Sequence, residues 1–174
     1  WAADNLTGIY IINYSLESGE IGGVSDPAYL KRLDNFAQWL RAQPEVLHVA
    51  SFSDVVKRVN RSFNGDRETF YAVPTNRQLA AQYVLLYEMS LPYGLDLNDQ
   101  LNVDKSASRM VVTLEDLSTA EMKVLRARAL DWLQANTSSN GYWIGARRWA
   151  ARHWRALRRR QFRLGQPVVS VVRD

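Results

Sequence analysis

Hydrophobic positions in the first third of the chain follow two different periods, which indicates a mixture of strands and helices. The run from Ile9 to Tyr14 is β-branched and aromatic, which is typical of a buried strand. A helix is then predicted from Pro27, after a cap at Ser25 or Asp26, with an end at Pro44. Its apolar stripe consists of Tyr29, Leu33, Phe36 and Leu40.

The segment 46–52 reads as a second short strand, so the unit so far is strand, helix, strand. Such a unit predicts a right-handed crossover with both strands in one sheet. A second helix is predicted to open at Ser53 and Asp54 and to reach about Val59, followed by a polar loop over 60–69.

The pattern of apolar and polar residues from about residue 77 onward predicts two more helices and a hairpin. One helix runs from Arg77 to Leu91 and is stopped by Pro92. Alternation over 95–103 and the apolar run 110–114 predict the two strands of a hairpin. A capping box at 118–121 opens the last helix, which reaches about residue 135 with Met122, Leu125, Ala129 and Trp132 as its apolar stripe.

Together these elements predict an α+β fold. Helices packed on one face of a sheet are the simplest arrangement of such elements, and a ferredoxin-like sheet is the expected architecture. The predicted domain covers residues 5–140, and residues 141–174 form a separate basic tail, expected to be helical.

Composition excludes several classes of protein. The 174 residues include no cysteine and two histidines, so disulfide frameworks, thiol nucleophiles and Cys-ligated zinc are excluded. Mean hydropathy is -0.31, and no run reaches the roughly 18–20 apolar residues of a membrane span. The start at Trp1, without an initiator methionine or a signal pattern, leads us to expect a fragment of a longer protein.

Candidate catalytic and metal-ligating residues are few. His48 lies among apolar residues with no triad motif beside it, so a structural role is expected. Asp96, Asp99 and Asp104 lack the glycine and glutamate of a calcium loop, and the loop at 17–24 lacks a phosphate-binding pattern. We therefore expect no catalytic residue, no metal and no cofactor, and we predict that this chain is not an enzyme.

Aromatic residues and methionine are concentrated on the third predicted helix and at its exit. Such side chains form adaptable apolar walls, but composition alone favours ordinary core packing for them. The residues are Tyr83, Tyr87, Met89, Leu91 and Tyr93. A helix broken by proline leaves apolar side chains at an element boundary, where binding surfaces often lie. We predict that Met89, Leu91 and Tyr93 border the route of a hydrophobic substrate.

Charge divides the chain into two parts. Residues 1–140 contain 13 Lys and Arg against 17 Asp and Glu, a net charge of -4, whereas residues 141–174 contain nine Arg and one Asp, a net charge of +8. As a helix, the tail would be basic and amphipathic, which predicts contact with a membrane surface. The residues predicted to make that contact are Trp143, Arg148, Arg152, Trp154, Arg155 and Arg159.

Two other interpretations of the tail remain open. Arginine and tryptophan also suit nucleic acid, through phosphate contacts and base stacking. Enrichment in Arg, Ala, Gly and Trp with no lysine is equally typical of GC-rich DNA translated in a wrong reading frame, in which case residues 141–174 are not native sequence.

Several ordered blocks of the sequence resemble the extracytoplasmic (porter) domain of bacterial RND-superfamily exporters of the MmpL-like type. The resemblance extends over about residues 5–136, and the long block 79–97 carries most of it. The other blocks are 14–20, 26–30, 43–49 and 102–109.

The resemblance implies a non-catalytic domain between two membrane spans of a proton-driven exporter of hydrophobic molecules or lipids. It implies βαβ and ferredoxin-like units, pairing with a second porter domain of the same transporter, and location on the periplasmic side of a bacterial inner membrane. Nucleic acid is not an expected partner. The family's proton relay lies in membrane helices, so no relay residue is carried over to this chain.

The sequence departs from the family's pattern near Thr137. The family continues with a last strand and a helix leading into an apolar span, and residues 141–174 show neither pattern. The alternative to the exporter is a soluble binding module whose basic amphipathic tail docks on anionic membrane or nucleic acid.

Overall fold

The computed structural model describes residues 10–92 and 97–136, which form an α+β fold. Three short 3-10 turns, Gly23–Ser25, Glu68–Phe70 and Leu97–Asp99, connect the main elements. The strands are β1 (Tyr10–Glu17), β2 (Val46–Ala50) and β3 (Ala107–Leu114), and the helices are α1 (Pro27–Arg41), α2 (Phe52–Phe63), α3 (Arg77–Ser90) and α4 (Thr119–Asn136).

The three strands form one antiparallel sheet with the order β1-β3-β2. β1 pairs with β3 along its whole length, from Tyr10 opposite Leu114 to Glu17 opposite Ala107. β2 pairs with the other edge of β3 and has an irregularity between Val46 and His48. The first two predicted strands therefore do lie in one sheet, and β3 separates them.

The sheet has one covered face and one open face. Along β3, Met110, Val112 and Leu114 are buried, whereas Arg109 and Val111 alternate with them and are half-buried. This alternation is the pattern of an antiparallel sheet that packs on a core with one side only. The expectation of helices on one side of the sheet agrees with it.

Helix α1 forms as the sequence predicts. The Oδ1 atom of Asp26 accepts a hydrogen bond from the Ala28 amide at 2.8 Å, and Pro27 occupies the first turn, where its missing amide hydrogen costs nothing. All four residues of the predicted stripe are fully buried. Between them they form the centre of the core.

Helix α4 also begins as predicted. Ser118 and Glu121 form the capping box, in which the Glu121 carboxylate accepts from the Ser118 amide at 2.8 Å and the Ser118 hydroxyl accepts from the Glu121 amide at 3.3 Å. Leu125 and Ala129 are fully buried. Trp132 packs against α1, with its ring 5.3 Å from that of Phe36, so the last helix is attached to the first.

Helix α2 is longer than predicted, and the strand before it is shorter. Ser51 caps α2, which continues to Phe63 through the segment expected to be a polar loop. Its polar residue Asn60 is buried and fully used: its amide donates to Ala72 O at 2.9 Å, and its carbonyl accepts from the Tyr83 hydroxyl at 3.2 Å. A buried asparagine with both groups satisfied allows the helix to continue.

The hairpin predicted over 95–114 is only partly present in the described residues 97–114. Its second strand is β3, while Leu97–Asp99 forms a 3-10 turn and the first arm is reduced to one antiparallel bridge from Leu101 to Ser108. Leu97 and Leu101 are both buried, four residues apart, and the Leu101 amide donates to Leu97 O at 2.7 Å. The spacing of these two leucines therefore reflects a helical turn rather than a strand.

Candidate functional site

Helix α3 carries apolar residues around most of its circumference. Asn76 caps its start by accepting from the amides of Gln78 and Leu79. One face, formed by Ala80, Tyr83 and Val84, is buried against the rest of the fold. A helix that is apolar on all sides is normally covered on all sides, so the opposite face needs a separate explanation.

The opposite face of α3 is exposed in the part of the chain that the structure describes. Four large apolar side chains lie on it, and we call this set the α3 apolar surface. Single exposed apolar residues are common, but several on one helix face indicate a surface that binds something. Its members and their exposed fractions are Leu79 37%, Leu85 54%, Leu86 41% and Met89 74%.

The carboxyl end of α3 joins this surface to the exit of the helix. Leu91 has an extended backbone (φ -70°, ψ 138°) because Pro92 disfavours helical geometry in the residue before it. The Glu88 carboxylate accepts from Lys105 Nζ at 2.6 Å, which ties this end to the turn before β3. The helix therefore ends where the sequence predicts.

The three predicted substrate-route residues have different positions. Met89 is the most exposed member of the α3 apolar surface, whereas Leu91 is partly buried and packs against the core. Tyr93 lies outside the described residues, as do all six tail residues predicted to contact a membrane. Their roles stay predictions.

Of the residues considered for catalysis or metal binding, the structure brings only His48 and Asp99 to one place among the described residues, the lining of a cleft beside β2. His48 and Asp99 are exposed, Asp104 lies in an exposed turn, and Asp96 is outside the described residues. Within residues 10–92 and 97–136, no group of three or more His, Asp or Glu could hold a metal ion.

A group of charged side chains that the sequence analysis did not identify joins α1 to α2. Lys57 is buried and donates to Asp34 at 2.6 Å and to Asp54 at 3.1 Å. The second oxygen of Asp54 accepts from Arg41 at 2.5 Å, and Arg41 also donates to Val49 O. Burial opposes the charged form of Lys57, but the hydrogen bonds that its ammonium group donates to the two carboxylates outweigh this effect and raise the pKa of Lys57.

These charges are paired, so they serve structure rather than chemistry. Lys57 also lies over the Tyr71 ring, 4.9 Å from its centroid. The sequence contains a signal for the group, because Asp54 and Lys57 are three residues apart on one helix. The sequence does not indicate the partners from α1, Asp34 and Arg41, because they reach Lys57 and Asp54 only through the packing of the two helices.

A cleft of about 700 Å³ lies where the open face of the sheet meets α2. Its floor includes Ala50 of β2 and Val111 of β3, which are paired across the sheet. Arg58 of α2 and Arg109 of β3 are also part of its lining. This cleft is polar and differs in character from the α3 apolar surface.

Comparison of the chain with protein-family models, with curated proteins and with solved structures returned no match. Among the described residues, none of the helices combines the length and the hydrophobicity that crossing a membrane requires.

Proposed function

We propose that residues 10–136 belong to the extracytoplasmic domain of a proton-driven exporter of the RND superfamily, of the MmpL-like type. In this function the domain guides a hydrophobic molecule or a lipid and performs no covalent chemistry. The proposal places the domain on the periplasmic side of a bacterial inner membrane, beside a second porter domain of the same transporter. Flanking spans would hold it there.

The α3 apolar surface is the observation that supports this proposal most directly. Met89 is 74% exposed, and methionine adapts to ligands of different shapes. All four residues of the surface lie inside the block 79–97, the longest stretch of sequence that resembles the exporters. Side chains of this kind contact a hydrophobic substrate through its apolar surface. They form no hydrogen bonds that would restrict binding to one compound.

The topology gives additional support. Two strands joined through α1 lie on either side of β3, and α4 follows β3. The first three strands of a ferredoxin-like unit have the same order in the sheet, with one helix between the first two strands and another after the third, and we propose that architecture for the domain. A fourth, closing strand would pair with the edge of β1 that does not face β3.

Substitution of Met89 by Ala in the full-length transporter tests the proposal. Because the side chain is exposed, the change should cost little stability, as is usual for surface positions, so an effect on export would not arise from loss of protein. We expect efflux of a lipophilic dye to fall several-fold while the amount of transporter in the membrane stays normal. Tyr93→Ala should behave in the same way.

A matched control is Val124→Ala on α4. Val124 is also an exposed apolar residue on a helix, 57% exposed, and it is not part of the α3 apolar surface. Its replacement should leave efflux unchanged. Equal efflux by all three variants and the wild type would reject the route and would favour the soluble binding module with a basic tail.

A further inference from the structure

The cleft beside β2 contains more positive charge than its own carboxylates neutralise. Its lining includes four cationic side chains, Arg41, Lys57, Arg58 and Arg109, and two carboxylates, Asp54 and Asp99. Asp54 is fully occupied, with one oxygen on Lys57 and the other on Arg41. Lys57 is also paired with Asp34, so Asp34 and Asp54 together offset Lys57 and Arg41. The remaining charges of the lining are therefore two arginines against Asp99.

Each of the two remaining arginines donates through Nε to an acceptor nearby, and its terminal N–H groups have no acceptor among the residues that the structure describes. Arg58 Nε donates to Asp54 O at 3.4 Å, and Arg109 Nε donates to Asn13 Oδ1 at 2.9 Å. Neither forms an ion pair with a residue in the described ranges 10–92 and 97–136. A guanidinium that donates through Nε still presents its two terminal nitrogens, whose N–H groups match the geometry of phosphate oxygens.

The floor of the cleft has a different chemistry. Ala50 and Val111 lie side by side on the open face of the sheet, with His48 further along β2. Small apolar side chains in the same lining as two cations suit a ligand that carries an anionic group on an apolar body. The volume, about 700 Å³, is within the usual range for small-molecule sites.

We infer that this cleft binds the phosphate group of a small molecule, with Arg58 and Arg109 as its ligands and Ala50 and Val111 as the floor beneath the ligand body. Asp99 limits the affinity because its carboxylate repels the anion. This inference does not depend on the proposed export function, because it concerns a different face of the molecule and can be tested by binding alone.

The experiment is a titration of the isotopically labelled full 174-residue chain, followed by amide NMR, with three probes. These are hexyl phosphate, inorganic phosphate and hexanol. We expect hexyl phosphate to shift the Ala50 and Val111 amides saturably, inorganic phosphate to shift the same amides, and hexanol to have no saturable effect. Site-specific signals separate the cleft from the nine arginines of residues 141–174.

The two phosphate probes distinguish the sources of the ligand. Tighter binding of hexyl phosphate would indicate a lipid-like or other apolar phosphate, as the apolar floor leads us to expect. Equal binding would indicate free phosphate, and it would still support the site. Absence of saturable shifts with either phosphate, or equal shifts with hexanol, would overturn the inference.

Substitutions make the test specific to the two arginines. The double variant R58Q/R109Q should weaken hexyl phosphate binding by about tenfold or more, since hydrogen bonds between charged groups are the strong ones. D99N should strengthen binding. R126Q, which removes an exposed arginine of α4 outside the cleft, should bind like the wild type.

Melting curves check that each variant is folded. If the double variant does not fold, R58Q alone serves, because Arg58 is exposed and its change removes only one long hydrogen bond, to Asp54 O at 3.4 Å. At least a threefold loss is then expected, by the same argument on charged hydrogen bonds. Wild-type affinity in R58Q and R109Q, or an equal loss in R126Q, would overturn the assignment of the two arginines.

Discussion

Two buried tyrosines of the core differ in how their hydroxyl groups are satisfied. Tyr29 donates to Leu16 O at 2.9 Å and lies 2.6 Å from the Ser108 hydroxyl, so it links α1 to β1 and β3. The Tyr14 hydroxyl is buried and has no hydrogen-bond partner in the part of the chain that the structure describes. The hydroxyl group of Tyr29 therefore stabilises the fold, whereas that of Tyr14 costs free energy because it is buried without a partner in the described chain.

Replacement of each tyrosine by phenylalanine tests this difference. Tyr29→Phe should lower the free energy of unfolding by about 1–3 kcal/mol, because it leaves a buried carbonyl and hydroxyl with one partner fewer. Tyr14→Phe should be neutral or stabilising by up to about 1 kcal/mol, because it removes a buried polar atom that has no partner. Urea unfolding of the two variants measures both values, and a larger loss for Tyr14→Phe would contradict the assignment.

At the residue scale, the sequence could predict which residues are apolar but not which of them are covered. Tyr83 and Met89 lie on one helix, and composition alone favoured core packing for both. Tyr83 is buried and bonded to Asn60, whereas Met89 is 74% exposed. Exposure depends on what packs beside the helix, and α3 is apolar on both sides, so its own pattern does not identify the covered face.

Elements were predictable where a local signal agreed with packing. Pro27 and Asp26 start α1, Pro92 ends α3, and the box at Ser118 and Glu121 starts α4, each through backbone geometry set within a few residues. These signals do not depend on the rest of the fold. The end of α2 and the first arm of the hairpin, described from residue 97 to 103, differ from the prediction because tertiary contacts decide them. The contacts involve buried Asn60 in one case and buried Leu97 and Leu101 in the other.

The stability of α1 against the sheet is testable at the element scale. Leu33 is fully buried in its centre, so Leu33→Ala should lower the free energy of unfolding by about 2–5 kcal/mol through lost burial and a cavity. Leu85→Ala is the matched control, since Leu85 is on α3 and 54% exposed. It should change stability by less than about 0.5 kcal/mol, as surface substitutions usually do. A loss below about 1 kcal/mol for Leu33→Ala would mean that α1 does not bury this face.

The molecule as a whole places its two candidate surfaces on different elements. The α3 apolar surface consists of leucine and methionine side chains only. The cleft beside β2, in contrast, contains two arginines that lack carboxylate partners among the described residues. The first suits a hydrophobic body and the second an anionic group. The sequence analysis found part of the first, through Met89 and Leu91, and missed the second, because Arg58 and Arg109 are far apart in sequence and meet only through the β2–β3 pairing and α2.

Alkaline pH should destabilise the whole fold. Burial raises the pKa of Tyr14 to about 12, and burial also raises the pKa of Tyr29 well above its ordinary value, against the opposing effect of the hydrogen bond with Ser108. The pKa of Lys57 is raised as well, by its two carboxylate partners. For all three groups, the unfolded chain loses its proton at a lower pH than the folded chain does.

The sign of the effect follows from this order. Above about pH 10 the unfolded chain binds fewer protons than the folded chain, so the free energy of unfolding falls as pH rises, by about 1.4 kcal/mol per pH unit for each group that differs. We expect stability to be nearly constant from about pH 8 to about pH 9.5 and to fall steeply above about pH 10, where the unfolded groups titrate. Urea unfolding across this range measures the slope.

Tyr14→Phe should make the decline shallower, because one of the three groups is removed while the core packing of its ring is kept. A flat profile in the wild type up to about pH 11, or an unchanged slope in Tyr14→Phe, would show that the buried tyrosines and Lys57 do not hold their protons in the folded chain as these contacts require.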